Sequence, residues 1–115
     1  MTVRRAMPIV QSDAMQENRD FYRLLGFEEV MDLGWIVTLA SPSTPAAQIS
    51  FITRDRTAPV TPDMSVEVDD VDAAYALVRD SGAEILHPLQ DEEWGVRRFF
   101  VRDPNGRVVN VVSHR

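Results

Sequence analysis

Apolar residues change their spacing several times along the chain, and each change predicts a new element. Residues 12–26 place apolar side chains three or four positions apart, which predicts a helix with Ser12 or Asp13 as N-cap and Gly26 as its stop. Short β-branched and alternating runs predict strands at residues 3–10, 27–33, 35–40 and 46–53. The first half of the chain is therefore predicted to be one strand, one helix and three further strands.

The second half repeats this order. A proline-containing segment, residues 54–63, is predicted to be a linker, and residues 69–82 then form a second helix that ends at Gly82. Strands are predicted at residues 64–68, 83–89, 97–102 and 107–113. The two helices lie about 56 to 57 positions apart, which indicates an internal duplication. We therefore predict one α+β domain, residues 1–115, made of two β-α-β-β-β modules at about 1–56 and 60–115.

The last two strands flank strong turn chemistry, because Pro104 presets its backbone and Gly106 accepts a positive φ. If residues 103–106 close the turn, Phe99 lies opposite Asn110. Phe99, Val101 and Asn110 then share one face of the hairpin. An amide within a valine run needs a partner, so Asn110 is either a satisfied structural amide or a group that reaches a ligand.

Composition excludes several classes of protein. The chain has no cysteine, so it has neither a disulfide framework nor a thiolate nucleophile or metal ligand. It has no apolar run long enough to cross a bilayer, and we expect a cytoplasmic location. The net charge of −6 argues against nucleic acid and anionic membrane as partners and permits a cationic ligand. Of the two histidines, His87 is expected at the surface.

Three stretches carry a resemblance to a known family: "SDAMQENRDFYRLLGFEEV", "VEVDDVDAAYALVRDSGAEI" and "WGVRRFFVRDPNGRVVNVV". In these the chain resembles the vicinal oxygen chelate superfamily, which includes glyoxalases, extradiol dioxygenases and bleomycin-resistance proteins. The resemblance implies that the two modules form half-open sheets around a cleft. It also implies a homodimer with ligand clefts shared between subunits.

Metal-dependent members of that superfamily carry four ligands, one on each of four strands. Carried over by the local motifs, these positions fall on Ala6, Gln48, Asp63 and Asn110. Alanine coordinates nothing, and one carboxylate with two amides is a poor set for zinc, nickel or ferrous iron. We therefore expect no metal and no other cofactor.

The remaining candidates suggest a binding site for a small molecule. Trp35 and Trp94 either stack on a flat ligand or cover a sheet edge, and the acidic residues beside Trp94 suit a cationic ring or are simply solvated. Hydrogen bonds to the ligand are predicted from Gln48, Asp63 and Asn110, and apolar walls from Phe51, Phe99 and Val101.

The predicted function is sequestration of a bulky, partly aromatic compound such as an antibiotic, without catalysis. The main alternative is an enzyme, either a divalent-metal lyase, isomerase or dioxygenase or a metal-free member with Asp63 as general base. A third alternative is an accessory domain that binds a partner protein.

Overall fold

A computed structural model describes all 115 residues and contains the ten predicted elements in the predicted order. Their bounds are β1 Val3–Gln11, α1 Met15–Leu24, β2 Glu28–Asp32, β3 Ile36–Ala40, β4 Gln48–Ile52, β5 Met64–Val68, α2 Val71–Asp80, β6 Ile85–Asp91, β7 Val96–Arg102 and β8 Val108–His114. Module one comprises β1 to β4 with α1, and module two comprises β5 to β8 with α2. The helices are ten residues each and begin 56 positions apart, so the repeat read from the sequence is present in the structure.

All eight strands belong to one open, mixed sheet in the order β2-β3-β4-β1-β5-β8-β7-β6. The two modules join at its centre, where β1 and β5 pair antiparallel. Each of these first strands also pairs in parallel with the last strand of its own module, β1 with β4 and β5 with β8. The predicted α+β class is therefore confirmed. Neither helix has the length and apolarity needed to cross a bilayer.

The helix ends agree with the predicted capping residues except at the N-cap of α1. Asp70 caps α2, since its Oδ1 accepts a hydrogen bond of 3.0 Å from the Ala73 amide. In α1 the N-cap is Ala14, and Ser12 acts one step earlier by accepting hydrogen bonds from Ala14 N and Asn18 Nδ2. A glycine in the left-handed region follows each helix, with φ of 101° at Gly26.

Both helices cover one face of the sheet. Phe99 and Tyr75 of α2 meet edge to face with ring centroids 5.0 Å apart, in a cluster that also contains Val101. In module one Tyr22 of α1 packs against Phe51 at 5.2 Å. The predicted apolar stripe of α1 is only partly buried, because Phe21, Leu24 and Leu25 remain exposed.

The predicted register of the last hairpin is wrong by one residue. Asn110 pairs with Phe100 rather than Phe99, and Arg102 pairs with Val108. The connection holds five residues instead of four, because Asp103 N donates to Arg107 O and Asp103 Oδ1 accepts from the amide of Arg107. A slip of one position moves every side chain of a strand to the other face of the sheet.

Candidate functional site

A cavity of about 290 Å³ lies on the face of the sheet opposite the helices. Alternation along each strand places one set of side chains in it, for example Met7 and Ile9 of β1, while the other set faces outward or packs under a helix. Both modules contribute to its walls. The volume is at the lower end of the range typical of small-molecule sites, roughly 300–1,000 Å³.

A row of small polar side chains crosses the floor of the cavity. Thr38 Oγ1 and Ser50 Oγ lie 2.7 Å apart, and Ser50 Oγ lies 3.7 Å from the sulfur of Met7. In module two Asn110 Nδ2 donates to Ser65 Oγ at 3.0 Å, and the Oδ1 of Asn110 has no hydrogen-bond partner. The nitrogen of the Asn110 amide is therefore satisfied by a neighbouring hydroxyl and its oxygen is not. Asn110 fits neither of the two alternatives raised by the sequence completely.

Two tryptophans, one from each module, meet at the cavity. Trp35 and Trp94 are both half-buried, with ring centroids 5.8 Å apart in an edge-to-face arrangement. Trp94 Nε1 lies 3.3 Å from Thr57 Oγ1, and the guanidinium of Arg98 lies 5.1 Å from the Trp94 ring. These contacts hold the indole in place and leave aromatic surface in the cavity wall.

A buried ion network lies behind Trp94. Arg98 is 2% exposed and binds both carboxylate oxygens of Asp55, at 2.9 and 3.1 Å. Its Nε contacts Glu92 Oε1 at 3.1 Å, and the same oxygen lies 2.8 Å from His87 Nε2. The prediction of a surface position for His87 is therefore wrong, since it is 5% exposed. Asp55 belongs to the segment predicted as a linker, so the network ties that segment to module two.

The pKa of Asp55 lies below its usual range. Burial alone would raise it, but hydrogen bonds and charge from Arg98, with further hydrogen bonds from Thr57, favour the ionised form more strongly. Because the folded-state pKa is depressed, the resulting stabilisation is complete above the unfolded-state pKa, near 4. It is lost as the pH falls through the lower folded-state pKa.

Asp55→Asn is expected to lower the free energy of unfolding by about 2 kcal/mol at pH 7, because the amide makes weaker hydrogen bonds to Arg98. The difference from the wild type should shrink as the pH falls below about 4 and through the lower folded-state pKa of Asp55, because the wild-type carboxylate then also loses its charge. Urea unfolding across this range measures it. The exposed Asp80→Asn is the control, and a gap that stays constant down to pH 2 would contradict the role assigned to Asp55.

Four of the eight predicted site residues line the cavity: Trp35, Gln48, Trp94 and Asn110. The predicted apolar walls need correction. Phe51, Phe99 and Val101 are buried on the helix side of the sheet, where Phe51 packs against α1 and the other two against α2. For Phe99 and Val101 the cause is the register of the last hairpin.

Asp63 lies outside this cavity, and its polar groups hold three strands together. Its amide donates to Val108 O at 2.8 Å and its carbonyl accepts from Ile9 N at 3.0 Å. The carboxylate Oδ2 accepts a further bond of 2.8 Å from Val108 N. The prediction that Asp63 hydrogen-bonds a ligand on the cleft floor is therefore corrected to a structural role, and Asp63 is not positioned to act as a general base in this cavity.

The floor does not fit the chelate of a metal-dependent relative. Met7 and Ser65, rather than Ala6 and Asp63, occupy the inward positions on the first strands of the two modules. With Ser50 and Asn110 they offer a thioether, two hydroxyls and an amide, a set without imidazole or carboxylate. No group of three or more histidine or acidic side chains in the structure is arranged to hold a metal ion.

Arginine side chains at the cavity were largely missed from the sequence. Arg5 and Arg98 both line the cavity, and neither is among the predicted site residues. Alternation supplies the missing signal, since Arg5 shares a strand face with Met7 and Ile9. In the observed register Phe100 lies opposite Asn110. Arg98 lies two positions before Phe100 on the same strand, so its side chain shares a face of the sheet with Asn110.

Comparison with known proteins agrees with this architecture. Residues 5–111 match the model of the Glyoxalase/Bleomycin resistance protein/Dioxygenase superfamily. A superfamily member from Vibrio splendidus 12B01 has 17% identity and a TM-score of 0.69, with 99% of this chain and 100% of that chain covered. Methylmalonyl-CoA epimerase from Mycobacterium tuberculosis has 19% identity and a TM-score of 0.66, with 98% and 87% covered.

A structure described as an NAD-dependent benzaldehyde dehydrogenase from Legionella pneumophila has 14% identity and a TM-score of 0.73, with 96% of this chain and 99% of that chain covered. Among curated protein sequences there is no significant match. At these identities the similar structures establish the fold alone.

Proposed function

The chain belongs to the glyoxalase/bleomycin resistance protein/dioxygenase superfamily, and we propose that within it the protein binds and sequesters a small aromatic compound without transforming it. The observation that carries this proposal is the cavity between the modules, with two half-buried indoles in its wall. Indole faces and edges attract flat rings, and a ligand bound here is removed from solution by mass action.

The polar groups of the cavity favour binding over catalysis. Asp55 is the only carboxylate in the lining, and Arg98 occupies both of its oxygens. The only imidazole, His114, has a side chain that is 57% exposed and pairs with Glu67. A general base needs a free proton acceptor positioned on the substrate, preferably shielded from water. Neither group meets this requirement.

The size of the cavity refines the ligand. Its volume of about 290 Å³ lies at the lower end of the range typical of small-molecule sites, roughly 300–1,000 Å³. A compound with one or two fused rings matches this space better than the bulky antibiotic predicted from the sequence. Suitable probes are 2-naphthamide and 2-naphthoate, which share a ring system and differ in charge, with bleomycin as a bulky comparison.

Trp94→Leu is expected to weaken binding of 2-naphthamide about tenfold, because the leucine cannot replace the aromatic contact with the ring. Trp35 remains as the fluorescent reporter, and quenching titrations of the wild type and the variant measure the two dissociation constants. Leu77→Ala, at a position that is 63% exposed on α2, is the control and should bind like the wild type.

Two outcomes would contradict the proposal. One is the absence of saturable quenching by either naphthalene compound up to about 1 mM, a very weak affinity. The other is chemical conversion of a bound compound, detected by chromatography after prolonged incubation. Tighter binding of bleomycin than of the small probes would support the bulky ligand predicted from the sequence instead of the smaller one.

The homodimer implied by the family stays part of the proposal. Phe21, Leu24 and Leu25 form an exposed apolar surface on α1 that is available for such an interface. The mass of the protein in solution, measured by sedimentation equilibrium, distinguishes dimer from monomer.

A further inference from the structure

Two arginines line the cavity, and their hydrogen-bonding states differ. Arg98 uses Nε, Nη1 and Nη2 in contacts with Asp55, Glu92 and Thr57. Arg5 donates one hydrogen bond, from Nη1 to Gln48 Oε1. A guanidinium carries five N–H donors, so Arg98 uses four of them within the protein whereas Arg5 uses one.

The unused donors of Arg5 are partly withdrawn from water. Its side chain is only 15% exposed, and Nε is buried without a hydrogen-bond partner although it lies 3.2 Å from Glu67 Oε1. Nη2 donates to no protein group. Buried donors of this kind are normally paired, and an unpaired one requires an explanation. A ligand that brings acceptor oxygens to Arg5 supplies one.

The position of the guanidinium is fixed from two sides. Glu67 lies opposite Arg5 in the β1–β5 ladder, and Gln48 reaches it from β4. Gln48 is itself held, since its Nε2 donates to Pro45 O at 2.8 Å. A long side chain that is ordered before binding loses less conformational entropy when a ligand arrives. Glu67 also bridges to His114, whose Nδ1 lies 3.3 Å from its other oxygen.

The charged side chains of the cavity lining favour an anionic ligand. The protein as a whole carries −6, yet the cavity lining contains the cations Arg5 and Arg98 against the single acid Asp55, while Glu67, which pairs with Arg5, lies outside the lining. Asp55 and Arg98 neutralise each other, and Glu92, one of the acidic residues beside Trp94, pairs with Arg98 and His87 instead of being solvated or available to a cationic ligand. A planar carboxylate matches a guanidinium with two parallel hydrogen bonds, which gives geometric specificity as well as affinity.

We infer that the ligand is a small aromatic carboxylate, whose anionic group binds Arg5 while its ring contacts Trp35 and Trp94. This inference rests on the binding function proposed above and narrows its ligand class. It assigns Arg5 as the residue that determines specificity and Glu67 and Gln48 as positioning residues.

The test compares 2-naphthoate with 2-naphthamide, which differ in charge on the same ring system. The wild type is expected to bind 2-naphthoate about tenfold more tightly, as measured by tryptophan quenching. Arg5→Met should remove this preference and leave the affinity for 2-naphthamide within about twofold. Arg4→Met, an equal change of net charge at an exposed neighbour outside the cavity lining, should retain the preference.

Loss of Arg5 also leaves Glu67 with His114 as its remaining partner, and the charge of Glu67 alone would repel a carboxylate. Glu67→Gln and the double variant Arg5→Met with Glu67→Gln separate the two effects, because both lack this charge and differ only in Arg5. The preference for 2-naphthoate should persist in the first and vanish in the second. Urea unfolding of each variant verifies that it is folded.

The outcomes distinguish the inference from the function on which it rests. If neither probe binds the wild type, the binding function itself fails. If both probes bind the wild type equally, or if the double variant retains the preference for 2-naphthoate, the cavity binds aromatic rings but the carboxylate assignment is wrong.

Discussion

Arg98→Met is expected to lower the free energy of unfolding by about 3–5 kcal/mol at pH 7, the usual cost of removing one partner from a buried ion pair. The side chain is 2% exposed and is the sole cationic partner of Asp55. Methionine replaces much of the aliphatic stem but donates nothing, so Asp55 would keep a buried charge without a cationic partner and Glu92 would retain only its contact with His87. Urea denaturation followed by circular dichroism measures the loss.

The adjacent arginine provides a matched control. Arg97 pairs with Asp72 and Asp91 at the surface, where solvent screens the charges, so Arg97→Met should unfold close to the wild-type midpoint. The pH dependence is a second readout. Without Arg98, desolvation favours the protonated form of Asp55, so the deficit of Arg98→Met should decrease toward acidic pH. Equal effects at positions 97 and 98 would contradict the buried network.

Combining Arg98→Met with Asp55→Asn measures the coupling between the two residues. The double variant should be more stable than the sum of the two single losses implies, because it no longer buries an unpaired carboxylate. Additive losses would show that Arg98 stabilises the fold mainly through packing against Trp94 and Phe100, at 5.1 and 4.7 Å from the two rings.

Local chemistry in the sequence was sufficient to predict the elements and their repetition. The glycine that ends a helix, such as Gly26, and the alternation that marks a strand, as in residues 64–68, depend only on residues close by in the sequence. Each element can therefore be predicted from its own segment. The repeat then indicated two similar modules. The resemblance to the superfamily implied that Gln48 and Asn110 face a cleft, and both line the cavity.

What the sequence could not supply depends on contacts between distant segments. Asp55 and Arg98 are 43 positions apart, and neither lies in a motif that names the other. The hairpin error has a local cause, since Asp103 accepts bonds from the amides of Asn105 and Arg107 and extends the connection by one residue. Turn propensity identified the position of the turn but not its length. The one additional residue in the connection determines which face of the sheet Phe99 occupies.

Phe99→Ala is expected to cost about 3–5 kcal/mol of unfolding free energy, because Phe99 is fully buried against Tyr75 and the inner face of α2. The cost combines lost apolar contacts with a cavity that the surrounding strands cannot fill. Leu77→Ala removes an apolar side chain from a position on α2 that is 63% exposed and should be nearly neutral. The midpoint of urea unfolding measures both.

The milder Phe99→Leu keeps enough of the core for the folded protein to be titrated, and it tests which face of the sheet Phe99 occupies. A residue under α2 supports the sheet without touching the cavity, so its affinity for 2-naphthamide should match the wild type within about twofold while its stability falls. Trp94→Leu should show the larger change in affinity, since Trp94 lines the cavity and belongs to no core cluster. If Phe99→Leu instead weakens binding as much as Trp94→Leu, the side chain reaches the ligand. In that case the register predicted from the sequence, with Phe99 opposite Asn110, would apply to the protein with its ligand bound.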